Sequence, residues 1–279
     1  MKKTIILLYN IFCLIVLTSC FANTNSKLNV TVPYNAEKSQ YTYEKKSKTL
    51  TINYFDEEKI DINSVPWIDI NYPENIVLKD GITNIPDFMF SFREHGNGGE
   101  RLNYYDRIKT VKLPDTLKYI GWDAFNNCKK LEKINIPNRV KKIGMTAFQG
   151  CFKLKRITVN GNVKKLEFET FESCKDLKEV ILMNGVKTIG DSVFSGCKTL
   201  ENVIMANSIA SIGKSAFMGC TKLKEITIPK RIKKIGEKAL GYKNQDDGIK
   251  GFTIKGYKGT AAEKYAKKNK FKFVALKKK

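Results

Sequence analysis

The residues best suited to chemistry in this sequence are five cysteines that recur every 23 residues, at Cys128, Cys151, Cys174, Cys197 and Cys220. Zinc sites need four converging ligands, which usually come from short local spacings such as C-x2-C. One cysteine in each 23-residue unit gives a line of thiols instead. Parallel side chains on neighbouring units also fit the torsion angle of a disulfide poorly. We therefore predict buried small thiols, with no metal and no other cofactor.

No catalytic constellation can be assembled from the other reactive side chains. The single histidine, His95, lies in a polar stretch, whereas catalytic triads and HExxH motifs place a histidine among specific partners. The stretch 256–260 lacks the GxxxxGK[ST] spacing of a phosphate-binding loop. We therefore predict that the protein is not an enzyme.

The cysteines form one column of a repeat that extends from Leu113 to Ile228. Three further columns are apolar. They are Leu113, Ile136, Val159, Leu182, Met205 and Ile228; Ile120, Ile143, Leu166, Ile189, Ile212 and Ile235; and Phe125, Phe148, Phe171, Phe194 and Phe217. A fixed period of this length predicts a solenoid, in which stacking of the units supplies the core.

Each unit contains two short runs that favour extended structure. The LxxIxI run, as at 131–136, predicts strands that stack into a parallel sheet, and the VKKI run, as at 140–143, predicts a second strand. Glycine follows the second run in most units and predicts a turn there, with Glu167 as the exception. The AF-x-x-C segment predicts a short helical or 3₁₀ turn that carries Phe and Cys inward.

The solenoid is predicted to occupy 76–240, between two caps. Residues 28–75 predict an N-terminal β cap, with a hairpin around Lys45–Lys48, and residues 241–279 predict a C-terminal strand-helix-strand cap. An insert near 91–107 interrupts the first unit. It is rich in glycine, polar and aromatic residues, so it is either a disordered excursion or part of a binding face.

The N-terminus has the pattern of a lipoprotein signal peptide over 1–19. Two lysines precede an apolar run at 5–17, and the sequence LTSC ends at Cys20. We expect cleavage before Cys20, a lipid on that cysteine as the membrane attachment, and a tether over 20–27. An ordinary secretory peptide with a coincidental cysteine is the alternative.

The unit IxxIGxxAFxxCxxLxxIxIP resembles the BspA-like leucine-rich repeat of bacterial surface proteins. The segments TLTI…VPW…IVLKDGITNI and IKGYKGTAAEKYAKKNKFKFV are similar to the N-terminal and C-terminal ends of that family. The resemblance covers nearly all of the chain after the signal peptide. It implies a β-rich α/β solenoid, a leucine-rich repeat array with stacked parallel strands. It also implies surface exposure, since some members are adhesins that bind matrix proteins or other bacteria.

Charge is unevenly placed on the predicted repeat. The chain has 50 Lys and Arg against 28 Asp and Glu, a formal net charge of +22. One column is basic, with a second beside it, and together they form a ridge of Lys118, Lys141, Lys142, Lys164, Lys165, Lys187, Lys233 and Lys234. The columns of the LxxIxI strands are mixed in sign. The ridge is either a solvated face that prevents edge pairing or an anion-binding surface on the order of 25 Å long.

These features predict a lipid-anchored surface binding protein of the bacterial cell envelope. It would act as an adhesin that recognises host or bacterial macromolecules, such as extracellular matrix proteins or anionic glycans. Nucleic acid is disfavoured, because an exported chain meets no cytoplasmic DNA. The alternative is a non-adhesive structural lipoprotein of the envelope.

Overall fold

The computed structural model describes residues 40–55, 73–91 and 105–277, and these residues form stacked coils with strands on two faces. The predicted signal peptide, the tether, Cys20, His95 and most of the predicted insert lie outside the described residues. The structure therefore bears on the repeats, the C-terminal end and part of the predicted N-terminal cap.

The first face is built from the LxxIxI runs and the strands of both ends. Its strands are β1 (Tyr41–Glu44), β2 (Thr49–Ile52), β3 (Asn75–Leu78), β5 (Thr110–Lys112), β7 (Lys133–Ile134), β9 (Arg156–Val159), β11 (Glu179–Leu182), β13 (Asn202–Met205), β15 (Glu225–Thr227), β17 (Thr253–Gly256) and β18 (Lys272–Ala275). They pair in three groups, β1-β2-β3-β5-β7, β9-β11-β13 and β15-β17-β18. The parallel stacking predicted for these runs is confirmed.

The second face is built from the VKKI runs. Its strands are β4 (Asn84–Ile85), β6 (Tyr119–Ile120), β8 (Lys142–Ile143), β10 (Lys165–Leu166), β12 (Thr188–Ile189), β14 (Ser211–Ile212) and β16 (Lys234–Ile235). Parallel pairing places Ile189 beside Ile212 and Ile212 beside Ile235. Residues 23 positions apart therefore become neighbours in space, as the period predicts.

The core runs along the inside of the coils, and a phenylalanine stack forms its centre. Each ring of the column lies flat against the ring of the next coil, and all five side chains are fully buried. The ring centroids of Phe125 and Phe148, and those of Phe148 and Phe171, are 5.3 Å apart. Such stacking stabilises by about 0.5–1.5 kcal/mol per pair beyond the burial of apolar area.

The AF-x-x-C segments form the third side of each coil, here called the turn side. They contain turns closed by i to i+3 hydrogen bonds, such as Cys128 N–H to Phe125 O at 3.2 Å, which is the bond of the predicted 3₁₀ turn, and they carry Phe and Cys inward as predicted. These turns do not continue into a helix. Alternate N–H groups instead donate to the next coil, as from Phe125 to Ala147 O at 2.8 Å. That geometry places Asp123 and its equivalents in the left-handed region, at φ 52° for Asp123 and Thr146.

The glycines after the second-face strands are required by close packing between coils. A Cβ atom built on Gly213 would lie 2.5 Å from the carbonyl carbon of Gly190, and one on Gly144 would lie 2.5 Å from the backbone N of Trp122. The φ angles of both residues are also accessible to other amino acids. Glycine is therefore needed at these positions for close packing and not, as predicted, for a turn. At the coil that carries Glu167 in place of glycine, the second face divides into β4-β6-β8 and β10-β12-β14-β16.

The two ends of the array are covered differently. At the N-terminal side, β1 and β2 form the predicted hairpin, and β2 continues in parallel with β3. At the C-terminal side, β17, α1 (Ala261–Lys268) and β18 give the predicted order of strand, helix and strand. The described residues contain no helix with the length and hydropathy needed to cross a membrane.

Tyr265 of α1 completes the last coil. The N–H of Leu240 donates to the Tyr265 Oη at 3.0 Å, and the hydroxyl donates back to Leu240 O at 3.0 Å. In the preceding coils a phenylalanine occupies the position of Leu240. Its N–H donates to a backbone carbonyl of the next coil, and its carbonyl accepts a hydrogen bond from the cysteine thiol of that coil. Burial raises the pKa of Tyr265 to about 12, so one neutral phenol replaces both partners.

We predict that Gly213→Ala destabilises the protein by about 1–3 kcal/mol, because the added methyl overpacks the contact between β12 and β14. Glu167→Ala is the matched control, since its coil already accommodates a Cβ atom. It removes an exposed ion pair with Lys165, so its effect should stay below about 1 kcal/mol. Thermal and denaturant unfolding measure both. Equal effects of the two changes would show that close packing is not the reason for the glycine column.

Candidate functional site

The five repeat cysteines are used inside the coils as hydrogen-bond donors. Each thiol is buried and donates to the phenylalanine carbonyl of the preceding coil; for example, Cys151 Sγ lies 3.3 Å from Phe125 O and Cys220 Sγ lies 3.2 Å from Phe194 O. Burial raises the pKa of these thiols well above the ordinary range. The prediction of buried small thiols is confirmed, and their chemistry is that of neutral donors rather than thiolate nucleophiles or ligands.

A buried polar cluster on the turn side is similarly used between coils. The amide of Gln149 accepts a hydrogen bond from Asn126 at 3.0 Å and donates to Glu169 at 3.0 Å and to Glu172. Burial raises the pKa of the Glu172 carboxyl. Across the part of the chain that the structure describes, no group of three or more His, Cys, Asp or Glu side chains could hold a metal ion.

The predicted lysine ridge is exposed along its whole length. Backbone hydrogen bonds hold its members side by side, from Lys141 N to Lys118 O at 2.8 Å and from Lys187 N to Lys164 O at 2.8 Å. At the position of Ala210 the column continues without a lysine, and the N–H of Lys233 donates to Ala210 O at 2.9 Å. The structure therefore brings together the ridge residues that the sequence predicted.

Three members of the ridge have local partners. Lys164 Nζ donates to Gly161 O at 2.7 Å, and Lys165 pairs with Glu167 at 2.6 Å. The ammonium of Lys142 lies 5.5 Å from the centre of the Tyr119 ring. Within residues 40–55, 73–91 and 105–277, no carboxylate pairs with the other five lysines, Lys118, Lys141, Lys187, Lys233 and Lys234.

Charges on the first face, by contrast, neutralise one another between coils. Arg156 pairs with Glu179 on the neighbouring strand at 2.6 Å, and Lys155 pairs with Glu132 at 3.1 Å. The paired strands β15 and β17 are joined in the same way, since Lys255 Nζ lies 2.5 Å from Glu225. The mixed columns predicted from the sequence thus form pairs of opposite charge between coils, whereas the charged residues of the ridge columns are all lysines.

The turns that join the two faces extend the ridge into a wider basic edge, defined here as residues 137–143, 160–166, 183–189, 206–212 and 229–235. None of these five segments contains Asp or Glu. Their cations are Arg139, Lys141, Lys142, Lys164, Lys165, Lys187, Lys230, Arg231, Lys233 and Lys234. The predicted ridge did not include Arg139, Lys230 and Arg231. These residues precede the lysine column by two or three positions, so the register of the repeats could have indicated them.

A depression in the basic edge, of about 650 Å³, contains residues from three successive turns. It is lined by Asn184, Lys187, Asn207, Lys230, Arg231 and the half-buried Tyr257, with Ser208 at its base. Lys187 belongs to the predicted ridge. The other lining residues lie outside its column, so the predicted ridge did not indicate that they lie together. The arrangement offers three cations, two amides and a phenol to an anionic ligand.

Comparison with known proteins identifies one repeat family. The family model described as "BspA type Leucine rich repeat region" matches residues 99–220 and 187–255, with six copies. That model describes a repeated scaffold and not a catalytic domain. No curated protein matches the chain.

Several solved bacterial proteins are similar in structure. A leucine-rich repeat protein from Eubacterium ventriosum is 22% identical with a TM-score of 0.54, over 75% of this chain and 50% of that protein; it shows a shared fold. A leucine rich cell surface protein from Faecalibacterium prausnitzii is 25% identical with a TM-score of 0.38, over 65% and 53%. The T. pallidum leucine-rich repeat protein is 21% identical with a TM-score of 0.46, over 66% and 87%. The chain spans about half the length of the first two proteins.

We predict that a small alkylating reagent leaves the five repeat cysteines unmodified in the native protein and modifies all five in concentrated guanidinium chloride. Burial both blocks access and keeps the thiols protonated at neutral pH, because it raises their pKa. Peptide mass spectrometry gives the extent at each site, and a chelator should leave the melting temperature unchanged. Rapid native alkylation at any of the five, or melting that responds to the chelator, would contradict this role.

Proposed function

Because the chain belongs to the BspA type leucine-rich repeat family, we propose that it is a bacterial surface binding protein whose basic edge recognises acidic macromolecules. Its candidate partners are anionic glycans and acidic segments of extracellular matrix proteins. Repeats of this kind stack into extended surfaces suited to binding rather than to enclosing a small reactive site. The proposed role is therefore adhesion and not catalysis.

The observation that supports this proposal is the unequal pairing of charge on the two surfaces. The first face carries cations and carboxylates that pair between coils, as Arg156 does with Glu179. The basic edge repeats its cations in register and has no acidic residue in its five segments. Like charges held side by side repel one another, and an external polyanion relieves that repulsion.

The physical character of the basic edge suits an extended polymer. Lysine side chains are flexible point charges, so affinity along the edge comes from the number of contacts more than from the geometry of each one. Exposed charges are screened over about 8 Å at physiological ionic strength. We therefore expect binding that is weak for each contact, multivalent, and strongly dependent on salt.

A location at the cell surface is part of the proposal. The sequence LTSC after an apolar run favours lipid attachment at Cys20, with the repeats presented outside the membrane through the tether at 20–27. An exported protein with this charge meets anionic surface polymers rather than cytoplasmic nucleic acid. A contact with a specific protein has a second surface available on the first face, where Ile204 of β13 is 48% exposed.

We predict that changing Lys141, Lys164 and Lys187 to Glu weakens binding to immobilised heparin. If each exposed contact contributes about 0.5 kcal/mol, the loss at physiological salt is about 1.5 kcal/mol, or roughly tenfold. Wild-type retention should fall steeply as salt rises. The measurement is the salt concentration of elution together with equilibrium binding.

The matched control changes Lys155, Lys178 and Lys224 to Glu, which alters net charge equally but on the first face. It should elute close to wild type. If both triple variants lose equal retention, net charge and not the basic edge governs binding. If the first variant elutes with wild type, the lysine ridge is only a solubilising surface.

We predict that Cys20→Ala, expressed in a bacterial host, remains unprocessed or soluble, whereas the wild type partitions into the detergent phase. Cys13→Ala is the control, because Cys13 lies in the apolar run of the predicted signal peptide and should be removed with it. Protease added to intact cells then reports whether the anchored protein faces outward. Detergent partitioning of Cys20→Ala equal to wild type would refute the lipid anchor.

A further inference from the structure

We propose that the depression at residues 184–187, 207–208, 230–231 and 257 is a discrete binding site for one acidic sugar unit bearing a sulfate or carboxylate group. This inference rests on the proposed function and deepens it, because it separates one built site from the diffuse attraction of the basic edge. Its volume of about 650 Å³ lies in the range of small-ligand sites, about 300–1,000 Å³. One or two sugar rings fit that space, whereas a folded protein partner does not.

The lysine column is interrupted between two of the turns that line the depression. Ala210 occupies the column position between Lys187 and Lys233, and its backbone bonds to both, at 2.8 Å and 2.9 Å. A lysine there would extend its side chain between the two neighbouring coils. With a methyl group instead, Lys187 faces the turn of Lys230 and Arg231 across open space.

The base of the depression is held by a buried serine. The Ser208 hydroxyl donates to Val186 O at 2.8 Å and accepts the N–H of Gly185 at 2.9 Å. Gly185 has a φ of 114°, which only glycine adopts readily. These contacts fix the backbone of the turn that carries Asn184 against that of the turn that carries Asn207, so the two turns are positioned before a ligand binds.

The side chains around this base match the groups of an acidic sugar. The planar guanidinium of Arg231 can donate two parallel hydrogen bonds to a sulfate or carboxylate, which an ammonium cannot do. The charges of Lys187 and Lys230 lie on the two flanking turns. The amides of Asn184 and Asn207 both donate and accept, as sugar hydroxyls require, and Tyr257 adds a phenol that can do the same.

No acidic residue lines the depression, and within the described ranges none of its three cations has a carboxylate partner. An anion that enters therefore displaces no internal ion pair. This distinguishes the depression from the first face, where an anion would compete with Glu132, Glu179 or Glu225 for the same cations.

The test is calorimetric titration of the full mature chain with a sulfated disaccharide, a carboxylated disaccharide without sulfate, the neutral parent disaccharide, and inorganic sulfate. We expect saturable 1:1 binding of at least one acidic disaccharide, and affinities at least tenfold lower for the neutral sugar and for inorganic sulfate. The first two arms decide which acidic group the site prefers.

Two variants give the test its specificity. Arg231→Lys preserves net charge but loses the planar fork, and it should reduce disaccharide affinity about tenfold with an unchanged melting temperature. Lys164→Ala, elsewhere on the basic edge, should leave disaccharide binding unchanged. An Arg231→Lys variant that binds as tightly as wild type, or inorganic sulfate that binds as well as the disaccharides, would overturn the site.

Failure of the site and failure of the proposed function give different results. Because Lys187 lines the depression, the polymer arm of this comparison changes only Lys141 and Lys164 to Glu. If that double variant loses heparin retention but no disaccharide binds, the depression is not a site and the polyanion function stands. If a disaccharide binds 1:1 while the double variant retains full heparin binding, the depression is a site and the basic edge is not the polymer-binding surface.

Discussion

Hydrogen bonding between successive coils is the interaction on which the rest of the structure depends. On two faces short parallel strands pair with their neighbours, and on the turn side alternate N–H groups donate to the next coil, as from Phe148 to Thr170 at 2.9 Å. The thiol of Cys174 donates back to Phe148 O at 3.3 Å. Each coil thus satisfies polar groups that its neighbour would otherwise leave buried and unpaired, which would cost about 1–3 kcal/mol each. The last coil has no successor, and Tyr265 takes the place of one.

Close approach of the coils restricts what each position can hold. The phenylalanine stack and the cysteine row repeat because their neighbours in space are their own equivalents. Glycine recurs after the second-face strands because a Cβ atom on Gly236 would lie 2.5 Å from the carbonyl carbon of Gly213. Glu167 departs from that rule, and both faces divide at its coil, the second between β8 and β10 and the first between β7 and β9. The phenylalanine stack nevertheless continues past this coil, with Phe148 and Phe171 5.3 Å apart.

The same stacking determines which charged side chains become neighbours. A residue and its equivalent 23 positions later lie side by side, so a column of one sign concentrates like charge. The first face carries both signs in its columns, which yields the pair of Arg156 and Glu179. The basic edge carries cations without Asp or Glu over five segments, and beyond their ends one carboxylate among the described residues, Glu167, pairs with one of them, Lys165. The proposed partner surface is therefore identified by its uncompensated positive charge rather than by a group of reactive side chains.

The sequence by itself determined the features that depend on equivalent positions. The 23-residue period, the inward columns, the strands at LxxIxI and VKKI, the buried thiols and the lysine ridge all follow from residues that repeat in register. The tertiary structure decided the features that join non-equivalent positions. Cys151 reaches Phe125, 26 residues away, Leu240 is completed by Tyr265, and Lys187 meets Lys230 and Arg231 across the gap at Ala210. The turn at AF-x-x-C shows both contributions. Bonds from residue i+3 to residue i form within the segment, as local sequence predicted, whereas every second N–H group is satisfied by the next coil, which a single unit cannot reveal.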